Sequence, residues 1–183
     1  MSFLTQVDLD ENAFPPFVAL RKAYGYVPNL LLAQTLRPDV VQAETNLIGA
    51  ILSKEGALTR RQKEYILLVS SAANLNTYCV TSHCELARAL GFTDPDPDEI
   101  AADHRATEIP ETDKALLDFA VKLTREPTQI LPEDIEGLRR SGFDDPQILE
   151  AVQVTALSCF FNCLASGLGT IPDEGRPAAL PRE

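Results

Sequence analysis

Thr59-Arg60-Arg61-Gln62-Lys63-Glu64-Tyr65-Ile66-Leu67-Leu68-Val69-Ser70-Ser71-Ala72-Ala73-Asn74-Leu75-Asn76-Thr77-Tyr78-Cys79-Val80-Thr81-Ser82-His83 is the stretch that decides how this chain folds. Thr59 and Gln62 stand at capping-box spacing, where each side chain satisfies the other's orphan backbone donor and starts a helix. Tyr65, Leu68, Val69, Ala72 and Leu75 then recur at helical intervals and form one apolar face. A second helix is expected from Tyr78 to Leu90, ending at Gly91. Glycine enters the left-handed conformation at a helix C terminus without steric cost.

Helix signals continue on both sides, and alternating Val/Ile/Thr-rich segments are scarce. Pro15-Pro16 opens an apolar stretch through Val18, Leu20 and Tyr24 that stops at Gly25. Pro28 and Pro38 mark helices expected over 29–35 and 39–52. Asp96-Pro97-Asp98-Glu99 caps a short helix, and Thr112 starts one through Leu116, Leu117, Phe119 and Leu123 that Pro127 stops. A helix from Pro132 to Arg140 precedes Gly142, and Asp145-Pro146 begins a long one up to Gly167. The pattern predicts an all-α fold in a single domain over 1–171. The segment 172–183, lacking periodicity, is expected to be a mobile or partner-contacting tail.

A repeat underlies this order. Glu85-Leu86-Ala87-Arg88-Ala89-Leu90-Gly91-Phe92-Thr93-Asp94-Pro95 aligns without gaps with Glu136-Gly137-Leu138-Arg139-Arg140-Ser141-Gly142-Phe143-Asp144-Asp145-Pro146, an offset of 51 residues. The same offset sets the helix near Arg60 over the one near Glu111, predicting two related helical units. Cys79 then falls on Ile130 and His83 on Asp134, so only the first copy carries reactive groups.

The 183 residues suffice for one domain with a proper core. A net charge of −11 opposes phosphate backbones and anionic lipid, so neither nucleic acid nor membrane is expected as a partner. The most apolar window, Ala151 to Gly169, is interrupted by Gln153, Thr155, Ser158, Asn162 and Ser166, and reads as a helix buried at the centre of the domain. The N-terminal residues lack the pattern of a signal peptide. With four cysteines, that points to a reducing cytoplasm, where thiols are buried, catalytic or metal-bound.

Cys79 and His83, four residues apart, share one face of their helix with Leu86, Ala87 and Leu90. A thiol beside an imidazole is the minimum equipment for a reactive thiolate. If Asn76 or Thr77 caps the helix, Cys79 lies in its first turn, where unpaired backbone N–H groups favour the thiolate. Glu64, on the preceding helix, stands where a carboxylate could fix the imidazole tautomer. Each residue also has a structural reading: a small core cysteine, a satisfied core histidine, a glutamate paired with Arg60 or Arg61. Cys84 lies roughly 140° around the helix from Cys79 and cannot bridge to it without unwinding. Cys159 and Cys163 read as packing residues, and His104 as exposed. The cysteine spacings suit zinc poorly, and neither a metal nor a cofactor is expected.

The run from Leu58 to His83 resembles the core of the AhpD-like superfamily, which includes alkylhydroperoxidase AhpD and carboxymuconolactone decarboxylase. The AhpD pattern Glu-x11-Cys-x2-Cys-x3-His is met here by Glu64-x11-Asn76-x2-Cys79-x3-His83, with one departure, Asn76. Tyr24-Gly25-Tyr26-Val27-Pro28-Asn29 and the ending from Leu164 to Gly169 resemble the branch of uncharacterised peroxidase-related proteins.

The resemblance implies an AhpD-like multi-helical fold with an internal duplication, and homo-oligomers from dimers to trimers and hexamers. It implies peroxide reduction with Cys79 as the activated cysteine, His83 its proton partner and Glu64 the relay carboxylate. Without a cysteine at 76, resolution would fall to an external thiol reductant, or to Cys84 after local unwinding. Two alternatives stand beside it. One is a decarboxylase-like lyase or isomerase acting on a small organic substrate with His83 as general base; the other is a non-catalytic thiol sensor.

Overall fold

The computed structural model describes residues 2–10, 13–53 and 56–173. Its helices are α1 (Pro15–Tyr24), α2 (Asn29–Leu32), α3 (Pro38–Ile48), α4 (Arg60–Ala73), α5 (Thr77–Ala89), α6 (Pro97–Asp103), α7 (Glu111–Arg125), α8 (Pro132–Arg140) and α9 (Asp145–Leu168). No strand occurs among the described residues, and the chain is all-α as expected.

The capping box forms: Thr59 N–H donates to Gln62 Oε1, and Gln62 N–H to Thr59 Oγ1. It launches α4 into the middle of the molecule, where every residue from Lys63 to Ser71 is buried. Helices α5, α6, α7 and α9 surround it. Their shared core joins Tyr65, Leu68, Ile100, Leu116, Ala151 and Val154. Burial on all sides means that a charged group on α4 needs a partner inside the fold. Lys63 does so through Glu150 Oε1 at 2.8 Å and the carbonyl of Ile51 at 2.8 Å.

The central helix is therefore α4, not the long apolar α9 that the sequence suggests. α9 lays one face against α4 and α7. Its opposite face leaves Leu149, Phe160 and Cys163 exposed, so Cys163 is not a packing residue. The polar residues interrupting its apolar window point largely inward. Thr155 donates to Ala151 O, and Ser158 and Asn162 meet Ser71 in a buried cluster. By length and composition α9 could cross a bilayer, yet 44% of its most apolar window is buried within the fold.

The duplication is visible in atomic detail. Gly91 and Gly142 both close their helices with positive φ, 83° and 99°. Phe92 N donates to Ala87 O, as Phe143 N does to Leu138 O, the same cap 51 residues on. Gln62 Nε2 donates to Asp113 Oδ1 at 2.8 Å. These two residues occupy equivalent places in the two copies, so α4 and α7, the equivalent helices, meet there.

Elsewhere the boundaries shift. The second helix stops at Leu32. The third ends at Ile48 and continues as a π-helical turn, Gly49–Ser53, whose carbonyls at Ile51 and Leu52 accept from Lys63 and Arg60. These carbonyls lie in the last turn of the helix, where no intrahelical donor remains to meet them. His104 is buried, not exposed, because its Nε2 pairs with Asp118 Oδ1 at 2.8 Å. Packed structure also runs past 171, since Asp173 is buried. The rest of the expected tail, 174–183, lies outside the described residues.

Candidate active site

Helices α4 and α5 are joined by Asn74, Leu75 and Asn76. Leu75 takes a positive φ of 54°, the only non-glycine among the described residues to do so. The sharp reversal brings the start of α5 against both α4 and α9. Asn76 is the N-cap of α5, its Oδ1 accepting from Cys79 N at 2.8 Å. Its amide Nδ2 donates to Asn162 O and to Ser166 Oγ, each at 3.0 Å. The residue that departs from the two-cysteine pattern is thus a fully engaged structural cap.

Cys79 and His83 both open on a cavity of about 170 Å³ beneath α1 and α2. Leucines, Tyr24, Tyr26 and Phe161 make its wall mostly apolar. Glu64, fully buried, accepts from His83 Nδ1 at 2.9 Å through Oε2. Its Oε1 accepts from Arg60 Nε at 2.9 Å, while Arg60 Nη1 donates to Leu52 O in the π-helical turn. Burial alone would raise the Glu64 carboxyl, but the His83 contact and the Arg60 charge together hold it below the ordinary carboxylate range. A carboxylate only accepts, so Nδ1 carries a proton, and in the neutral imidazole the lone pair is then on Nε2.

Cys79 departs from expectation. Burial pushes its thiol up to about 12, and no cation in contact counters this. Burial therefore favours the protonated form of Cys79 in this closed arrangement. Cys84 lies on another face of α5 in the main core, where burial and then Asp98 also push its thiol up to about 12. The structure separates it from the cavity that Cys79 lines.

Two further residues reach the site without any local sequence signal. Tyr78 and Asp173 line the cavity, and the Tyr78 hydroxyl donates to Asp173 Oδ2 at 2.9 Å. The Arg60–Glu64 pair at i, i+4 is the structural reading that the sequence offered for Glu64, and it stands together with the His83 contact on the other carboxylate oxygen.

The second repeat has a cleft of its own. Leu67, Ser71, Ser82, His83 and Leu86 border the Cys79 cavity. Their counterparts 51 residues on, Asp118, Lys122, Glu133, Asp134 and Gly137, border a cleft of about 580 Å³. There Asp134 stands for His83 and pairs with Lys122 Nζ at 2.6 Å. Ala115 stands for Glu64 and Ile130 for Cys79. The fold was duplicated; the thiol, imidazole and relay occur in the first copy.

These features define an all-helical, internally duplicated protein with a cysteine–histidine–glutamate constellation on an apolar cavity. The Carboxymuconolactone decarboxylase family pattern matches residues 38–126. An uncharacterized peroxidase-related protein from Ralstonia eutropha JMP134, an alkylhydroperoxidase AhpD core, superposes with a TM-score of 0.87 at 28% identity, over 99% of this chain and 98% of that one. A peroxidase-related protein from Silicibacter sp. TM1040 gives 0.87 at 27%, over 95% and 92%. The family pattern and the shared fold together support placing the chain in the AhpD/carboxymuconolactone decarboxylase superfamily. It is also 31% identical to Sestrin-2 of Bos taurus over 160 residues, which is 86% of this chain and 32% of that protein. It therefore spans about a third of Sestrin-2. The debrominase Bmp8, solved in complex with 2,3,4-tribromopyrrole, shares the fold at a TM-score of 0.79 and 21% identity, over 98% and 97% of the two chains.

Proposed function

We propose that this protein is a thiol-dependent oxidoreductase that reduces small peroxides at Cys79. One observation carries the reading: Cys79 shares a cavity with His83, and Glu64 fixes the tautomer that leaves Nε2 free to accept a proton. His83 Nε2 takes the Cys79 proton as a peroxide enters. The sulfur attacks one peroxide oxygen; an S–O bond forms, the O–O bond breaks, and His83 returns the proton to the leaving alkoxide. The products are an alcohol and a Cys79 sulfenic acid, the sulfur having lost two electrons. With Asn76 at the other motif position, two equivalents of an external thiol complete the cycle. The first forms a mixed disulfide and releases water, and the second frees Cys79.

A lyase or isomerase reading has its own support. Burial favours the protonated thiol, whereas a general base at His83 needs no thiolate. Stopped-flow peroxide consumption with a sulfenic-acid trap, run on wild type, Cys79→Ser and His83→Ala, separates the two. Peroxidase chemistry predicts a trapped adduct and loss of turnover in both variants. If Cys79→Ser consumes peroxide at the wild-type rate and wild type forms no adduct, the proposal fails.

A further inference from the structure

We infer that Asp173 is the clasp of a closure over Cys79, and that its release admits substrate to the cavity. Cys79 is 5% exposed, buried in a small apolar cluster with Leu30, Tyr78 and Ala165. Leu30 belongs to α2, a single turn of helix that a few hydrogen bonds tie to the rest of the site. Asp173 supplies the centre of that attachment. Its Oδ1 accepts from Asn29 N at 2.8 Å, and its Oδ2 accepts from the Tyr78 hydroxyl at 2.9 Å. The same hydroxyl accepts from Leu30 N at 3.2 Å. Asn29 Nδ2 donates in turn to the carbonyls of Ile171 and Pro172.

One buried carboxylate therefore joins three parts of the chain: the segment after α9, the start of α2, and the residue preceding Cys79. A one-turn helix has little stability of its own, so α2 keeps its place through these bonds and the packing of Leu30 and Leu31, the latter against Phe17, Val27 and Val41. Losing the carboxylate removes two bonds at once and frees α2 to lift without unfolding α4, α5 or α9. The inference rests on Cys79 being the reactive group of the cavity. Its test reads access to that thiol, not peroxide turnover, so either can fail without the other.

The experiment is timed alkylation by iodoacetamide of the full chain, with Cys79 and Cys84 quantified separately by peptide mass spectrometry. Cys84, 2% exposed in the main core, reports global opening. In Asp173→Ala the Cys79 rate is expected to rise about thirtyfold, the equivalent of two hydrogen bonds, with Cys84 unchanged. In Asp173→Asn one oxygen can still accept from Asn29 N while the amide donates to the phenol, so Cys79 should stay close to the wild-type rate. Should Asp173→Ala not fold, Tyr78→Phe removes the hydroxyl from both Asp173 and Leu30, and the same selective rise is expected. A Cys79 rate within about twofold of wild type, or a parallel rise at Cys84, overturns the inference.

Discussion

Replacing Asn76 by alanine tests the cap that stands where the AhpD pattern has a cysteine. The side chain is 6% exposed and makes three hydrogen bonds. Losing the N-cap bond to Cys79 N costs about 1 kcal/mol. The bond to Asn162 O is cheaper to lose, because that carbonyl lies within α9 and keeps its helical partner. The bond to Ser166 Oγ, a side chain at an exposed position, adds less than about 1 kcal/mol. The sum is about 2 kcal/mol, or a fall of roughly 4–8 °C in Tm for a chain of this size. Urea unfolding followed by circular dichroism should show a lower midpoint with an unchanged slope. Asn76→Ser restores a capping oxygen and should recover about 1 kcal/mol. A loss below about 0.5 kcal/mol in the alanine variant would refute the account of Asn76 as a structural cap, as would a serine variant no more stable than alanine.

Glu64→Gln should destabilise the protein by about 2 kcal/mol at neutral pH, since it removes the buried partner of both Arg60 and His83. Because the folded carboxyl is held low, its contribution is present above the ordinary carboxylate range and lost as pH falls through the folded value. The gap between wild type and variant should therefore shrink below a pH of about 4.5 in urea titrations; a constant gap contradicts the relay charge state. Lys63→Met should cost about 3 kcal/mol by leaving the Glu150 carboxylate without its buried ammonium, while Lys63→Arg costs less. Equal midpoints for wild type and Lys63→Met would show that the pair contributes nothing net.

Much of the fold was legible because its cues are local. The box at Thr59 and Gln62, the left-handed stops at Gly91 and Gly142, Asp96 before Pro97 and the Asp145-Pro146 start of α9 all act over a turn of helix, although the cap of α9 proves to be Asp144. Periodicity misassigned the centre because mean hydropathy does not say which face is covered. Ser158 and Asn162 are inside because Ser71 meets them there, and Phe160 is outside because no described helix covers it. For the site, helical spacing placed Cys79 and His83 on one face, and family spacing supplied Glu64. Spacing alone carried no measure of burial, which pushes the Cys79 thiol up although the residue lies in the first turn of its helix.

The sequence by itself determined the helices, their duplication and the one copy that carries a thiol, an imidazole and a carboxylate at workable spacing. Those features follow from i, i+3 and i, i+4 geometry and from which residues stand 51 apart. Only the tertiary structure decided that Asn76 is spent on capping, that burial favours the protonated Cys79 thiol, and that Asp173 reaches Tyr78 across 95 residues of chain. Charge state and access depend on what packs around a group. Packing is set by contacts distant in sequence, which no local pattern records.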